Sequence, residues 1–273
     1  MTPGTVAGKV MAILGAFAAG DGRLRLTEVC RRADLAPATG HRLMAELVAG
    51  GFLERLDDGS YRVGVKLWHI GTQAHAATDL RDLALPHMED LYEATHENVQ
   101  LAVLRDGKAL YLERLRGTRS MPIVTRVGTE LPLHATGVGK VLLAYAPGQL
   151  RERALSEPLA AHTSRTITDP DRLRECLTEV RRTGVATTSG EMTVGAHSVA
   201  APVRDRHDTV VAALSLVTGR RTADLRRLIP TVTTAARALS RDVAQHWSGS
   251  ADIGGDADWG TGGRADGDSH PRG

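Results

Sequence analysis

The stretch LTEVCRRADLAPATGHRLMA, residues 26–45, constrains this chain more than any other. It reads as two short helices joined by a tight turn. Thr27 is placed to cap the first helix, and Glu28 follows where the helix dipole favours negative charge. Val29, Cys30 and Ala33 give that helix an apolar side. Asp34-Leu35-Ala36 is a break of helix-turn-helix length. Pro37 suits the first turn of a new helix, where its missing N–H costs nothing. Leu43 and Leu47 lie one turn apart and face inward with Met44. Thr39, His41, Arg42 and Glu46 are left on the outer face, the polar and basic set that a recognition helix offers to base edges and phosphates.

The neighbours decide between this reading and a helical hairpin that merely packs. Upstream, Val10, Ile13, Leu14 and Phe17 keep helical spacing and predict an amphipathic helix over residues 6–19, stopped at Gly20-Asp21-Gly22. Downstream, Phe52–Leu56 and Tyr61–Val63 flank the turn Asp57-Asp58-Gly59-Ser60 and predict a β-hairpin. Three helices followed by such a hairpin make a winged helix, with Arg55 and Arg62 on the wing where phosphates are met. Residues 65–78 read as a linker helix. Its Trp68 serves either as a dimer anchor or as a cover for the module's own core.

Charge does not carry the DNA reading. The net charge is +2, and residues 1–78 hold nine Lys or Arg against seven Asp or Glu. Basic groups must therefore be placed rather than massed. Aromatics make up 3% of the chain, so its cores must rest on Leu, Val and Ala. The two cysteines, Cys30 and Cys176, fall in different domains, which suits a reducing compartment. With no apolar run of membrane-spanning length and no leader pattern, the chain reads as cytoplasmic, with no membrane partner.

From residue 79 the pattern changes. A helix over residues 80–96, carrying Pro86, precedes two strands around Asp106-Gly107, a strong hairpin signal. Another strand is expected at residues 122–127, and an apolar helix at Val141–Ala146. Asp169-Pro170 opens a helix that Gly184 ends. A small-residue loop, Thr187–His197, precedes two apolar strands at Ser198–Val203 and Thr209–Val217. Thr222 caps a long last helix. Residues 248–273 hold eight glycines and five aspartates and read as a disordered tail. The domains are then 1–64 for DNA, 65–78 as linker, 79–247 as sensor and 248–273 as tail.

Competing chemistries fail on spacing. A phosphate loop needs Gly five residues before its Gly-Lys pair and Ser or Thr after it; His134 and Val141 occupy those places around Gly139-Lys140. His134, His162, His197 and His207 with Glu191 lack zinc-ligand spacing. Ser189-Gly190 lacks the preceding Gly of a serine-hydrolase elbow, and Glu191 reads as a carboxylate that holds its loop. No catalytic residue, metal or cofactor is assigned. Two alternatives to a regulator stay open: a small-acid hydrolase, and a metabolite-sensing module that binds protein rather than DNA.

Taken in order, Leu26–Leu47, Leu131–Ala144 (LPLHATGVGKVLLA), Arg182–Glu191 (RTGVATTSGE) and Gly195–Val217 give the chain a family likeness. It resembles the IclR-type bacterial transcriptional regulators over roughly residues 6–247. The resemblance implies an α+β fold: an N-terminal winged helix-turn-helix, a linker helix, and a C-terminal GAF or profilin-like antiparallel sheet with flanking helices. It implies double-stranded operator DNA and a small organic effector, often an acid, as partners, and a homodimer or homotetramer. Carried onto matching positions, the effector residues are Leu131, Gly137, Val138, Thr188, Ser198 and Ser215. N–H groups around Gly137 and Val138 would hold a carboxylate, and the three hydroxyls would complete its hydrogen bonds. Gly40 stands in the second helix where the family usually has Ala or Val, which should loosen that helix.

Overall fold

The computed structural model describes residues 4–18, 22–117, 123–219 and 222–249. The stop expected at Gly20-Asp21, the Thr222 side chain expected to cap the last helix, and the tail beyond Gly249 lie outside the described residues.

The N-terminal module is built from α1 (Val6–Ala16), β1 (Arg23–Leu24), α2 (Leu26–Arg32), α3 (Pro37–Ala49), β2 (Leu53–Arg55) and β3 (Tyr61–Val63). Thr5 caps α1 by accepting from the Gly8 amide at 3.1 Å. Ile13, Val29, Leu43, Met44, Leu47 and Leu53 close one core beneath the helix-turn-helix. Each such burial contributes about 1.5–3 kcal/mol. The turn between α2 and α3 is made by Asp34 at φ +52, and Pro37 opens α3 as expected. One expectation fails here. Thr27 does not cap α2: the helix begins at Leu26, two residues earlier than such a cap would set it, with extended Arg25 at the cap position and no side-chain cap bond. Gly40 has a packing role. It is buried beside Cys30, and any Cβ there would collide with the Cys30 Sγ. The glycine lets α2 and α3 approach closely.

The expected linker helix over 65–78 divides. α4 (Val65–Gly71) ends at Thr72, whose hydroxyl donates to the His69 carbonyl at 2.7 Å. After Gln73-Ala74 the chain re-enters a helix, α5 (His75–Thr95), five residues before the expected start. Gly71 and the β-branched Thr72 are poor helix formers, which accounts for the interruption. Trp68 is 68% exposed and does not cover the module's core.

Beyond α5 the chain forms β4 (Asn98–Arg105), β5 (Lys108–Leu115), β6 (Glu130–Pro132), α6 (Gly137–Tyr145), α7 (Gly148–Ser156), α8 (Pro170–Thr183), β7 (Ala186–Ser189), β8 (His197–Arg204), β9 (Val210–Thr218) and α9 (Thr222–His246). The six strands make one antiparallel sheet in the order β6-β5-β4-β9-β8-β7. Asp106 and Gly107, both at positive φ, turn β4 into β5 as their sequence demands. The strand expected at 122–127 is absent from described residues 123–127; pairing resumes at Glu130. Part of the expected loop 187–197 is the edge strand β7, because Thr187 and Thr188 find partners in Val199 and Ser198. The helix expected at Val141–Ala146 begins four residues earlier, capped by Thr136, whose hydroxyl accepts from the Gly139 amide at 3.1 Å.

Strand alternation separates two cores. Val99, Leu101, Val103, Val199, Leu214 and Leu216 pack against α5 and α9. On the other face stand smaller residues, Ala102, Ala109, Ala200 and Ala213, and α6 lies against them. α6 is buried on every side from Gly137 to Ala144. Small side chains on the sheet make room for that backbone. Near the N-terminus of α6 the same smallness leaves a cavity.

Candidate effector cavity and DNA-facing surface

The cavity lies between the start of α6, the central strands and the loop after β7. It holds about 440 Å³ of empty space, open mouth included, and its lining contains Leu131, Gly137, Val138, Thr188, Ser198 and Ser215, the six residues singled out in the sequence. Ser198 and Thr188 face each other across β7 and β8 with their hydroxyls 2.6 Å apart. Ser215 pairs with Gln100 on β4 and Ala200 on β8, which puts its side chain on the cavity face. It is 1% exposed, and its Oγ finds no hydrogen-bond partner among the described residues. A buried hydroxyl left unpaired is costly unless a ligand or water meets it. A Cβ on Gly137 would collide with the Ser198 Oγ, so glycine keeps the cavity floor open.

Among the described residues the lining holds no Asp, Glu, Lys or Arg, and the one basic side chain is His197, whose pKa burial lowers, aided by the Arg165 charge. Tyr111 is buried, and desolvation raises its phenol, opposed by a hydrogen bond with Thr136. An anion here would rely on hydroxyls and on the free N–H groups that open α6, where the helix dipole favours negative charge.

Sequence reasoning missed Gln100, Tyr111, Thr125, Thr136 and Met192 as lining residues. Gln100 did leave a signal, as the lone amide within the apolar run Val99–Leu104. Its Nε2 donates to the Thr125 Oγ1 at 2.5 Å, and Arg114 donates to the Thr125 carbonyl, which ties the segment 123–125 over the cavity. Thr125 is distant from Gln100 in sequence and belongs to no strand, so no periodicity could reveal it. Glu191 does hold its loop: its carboxylate pairs with Lys140 at 2.7 Å. Among the described residues no group of three His, Cys, Asp or Glu is arranged for a metal.

On the DNA-binding module, His41, Arg42 and Glu46 are exposed on α3 and Thr39 is half-buried. Arg42 is held by Glu46 at 2.6 Å. On the wing, Arg62 pairs with Glu54 at 2.6 Å, and Arg55 lies over the Tyr61 ring at 6.0 Å. Arg23 and Arg25 were not anticipated. They flank buried Leu24 on the outer side of β1, a strand the sequence reading did not find, and both act on Asp58 in the wing turn.

The family model for the IclR helix-turn-helix domain matches residues 6–57, and the model for the bacterial transcriptional regulator IclR C-terminal matches residues 72–244. The glycerol operon regulatory protein of Streptomyces coelicolor is 34% identical over 242 residues, 86% of this chain and 94% of that protein. The transcriptional repressor IclR of Escherichia coli is 29% identical over 210 residues, 76% of this chain and 77% of that protein. A solved structure of an IclR homolog from Microbacterium hydrocarbonoxydans, complexed with 4-hydroxybenzoate, is similar at a TM-score of 0.81 and 33% identity, covering 88% of this chain and 100% of that one. Among the described residues no helix is long and apolar enough to cross a membrane. The protein therefore belongs to the IclR family of bacterial transcriptional regulators, in which a helix-turn-helix DNA-binding domain is joined to a C-terminal effector-binding domain.

Proposed function

We propose that the effector is a small carboxylate-bearing organic acid, bound in the cavity at the N-terminus of α6. The observation that carries this reading is the unpaired Ser215 hydroxyl beside a helix start kept open by Gly137. The carboxylate accepts from the N–H groups of Gly137 and Val138 and from the hydroxyls of Ser215, Ser198 and Thr188. Leu131 and Met192 cover the apolar body of the ligand. A similar protein binds 4-hydroxybenzoate, which supports an acid of aromatic size.

In the same reading, residues 1–64 contact operator DNA, 65–78 connect, and 79–247 sense. Thr39, His41, Arg42 and Glu46 present themselves to the major groove, with Arg42 exchanging Glu46 for DNA. Arg55 and Arg62 meet phosphates from the wing, joined by Arg23 and Arg25. The chain acts in the cytoplasm, where its DNA lies, as a homodimer or homotetramer. A dimer sets two recognition helices about one DNA turn apart. The acid shifts their spacing by binding one arrangement more tightly than the other.

Fluorescence anisotropy of the purified chain on its own upstream DNA and on scrambled DNA, across salt concentrations, tests the reading. The expected result is a preference for the upstream fragment, with affinity falling by about 0.9 log unit per log unit of salt for each phosphate contacted. Benzoate or 4-hydroxybenzoate should change that affinity. Equal binding to both fragments at every salt, unmoved by either acid, would overturn it.

A further inference from the structure

Lys140 lies one turn into α6 and is 1% exposed; its Nζ donates to both carboxylate oxygens of Glu191 at 2.7 Å. Burying two charges is expensive, and apolar residues of similar volume often serve stability as well or better. The pair must be weighed by what an apolar contact cannot do, which is to fix a distance with directed bonds. Lys140 rides on the helix whose Gly137 and Val138 form the cavity floor. Glu191 opens the loop whose Met192, Thr193 and Ala196 line the facing wall.

The rest of that loop's bonding holds it to itself and to the connection between α7 and α8. Gly190 donates to the Ala196 carbonyl at 2.7 Å. The Thr163 hydroxyl donates to the Gly190 carbonyl at 2.6 Å, and the Thr166 hydroxyl to the Glu191 carbonyl at 2.7 Å. The ion pair carries this assembly across to α6. Fifty-one residues separate the partners, and neither lines the cavity.

We propose that Lys140 and Glu191 are positioning residues, a clamp that holds the N-terminus of α6 and the 191–196 loop at the spacing the effector's acid group requires. The inference rests on the effector reading above. A site left loose by its supporting groups loses affinity even when every contacting residue is present.

The double variant K140M/E191M tests it, since paired apolar replacements keep the fold where a single one would strand a buried charge. Hydrogen exchange on the full chain without ligand comes first. Amides 191–196 should exchange about tenfold faster, with β4 and β9 unchanged. Calorimetry with benzoate and 4-hydroxybenzoate follows, and affinity should fall about tenfold or more. S215A is the reference, because it removes a cavity hydroxyl without touching the clamp. Native exchange at 191–196, or native acid affinity in the double variant while S215A binds weakly, overturns the clamp and leaves the effector reading standing. If neither acid binds the native chain, the effector reading falls and the clamp falls with it.

Discussion

A methyl group at position 40 would meet the Cys30 Sγ in a core with no room to give. The substitution that helix propensity favours is therefore the one packing forbids. Gly40→Ala should cost about 1–3 kcal/mol by overpacking, despite the better helix former. G40A/C30A should recover most of that loss, because the second change removes the colliding sulfur. Urea denaturation checks both, and equal loss in single and double variants would refute the pairing. At His134 and His197 burial is the main cause that lowers the pKa below the usual 6.5. A lowered folded-state value means that the unfolded chain takes up protons first as the pH falls. Their stabilisation is full above pH 6.5 and is lost as the pH falls below it toward the folded-state values. The thermal midpoint should decline from pH 7 to 5, and H134Q/H197Q should flatten that decline. An unaltered slope would show that other groups govern it.

At the scale of the element, α6 was legible in part. Its apolar run announced a helix, but the run begins after the glycines, so the expected start fell four residues late. What moved it back was Thr136, whose hydroxyl caps Gly139. Thr27 shows the opposite error, a good capping residue that caps nothing, because the β1–β3 pairing hands the chain into α2 at Leu26. Local preference proposes a helix end and the adjoining strand disposes of it. The cavity at the start of α6 depends on that end being glycine. Gly137→Ala would push a methyl group against Ser198 and should lower acid affinity about tenfold or more, roughly 1.4 kcal/mol or above. Calorimetry on the folded variant reads this, and native affinity would place the acid elsewhere.

For the whole molecule, the exposed apolar side chains of Val65 and Trp68, one turn apart on α4, are the surface that assembly would cover. Trp68→Ser should weaken self-association, seen as a smaller sedimenting species at micromolar concentration; an unchanged species would remove α4 from the interface. The sequence by itself determined the helix-turn-helix, the Asp-Gly hairpins, the Asp169 and Gly184 helix ends and the run of two apolar strands. Each is written in residues adjacent along the chain, where spacing and turn chemistry act directly. Its likeness to a family supplied the six cavity residues, which spacing alone did not. Only the tertiary structure decided that Gln100 reaches Thr125, that Gly40 exists for Cys30, and that Lys140 finds Glu191. Those choices depend on strand order and on how closely two backbones approach. Both are set by packing between segments far apart in sequence, which no local pattern records.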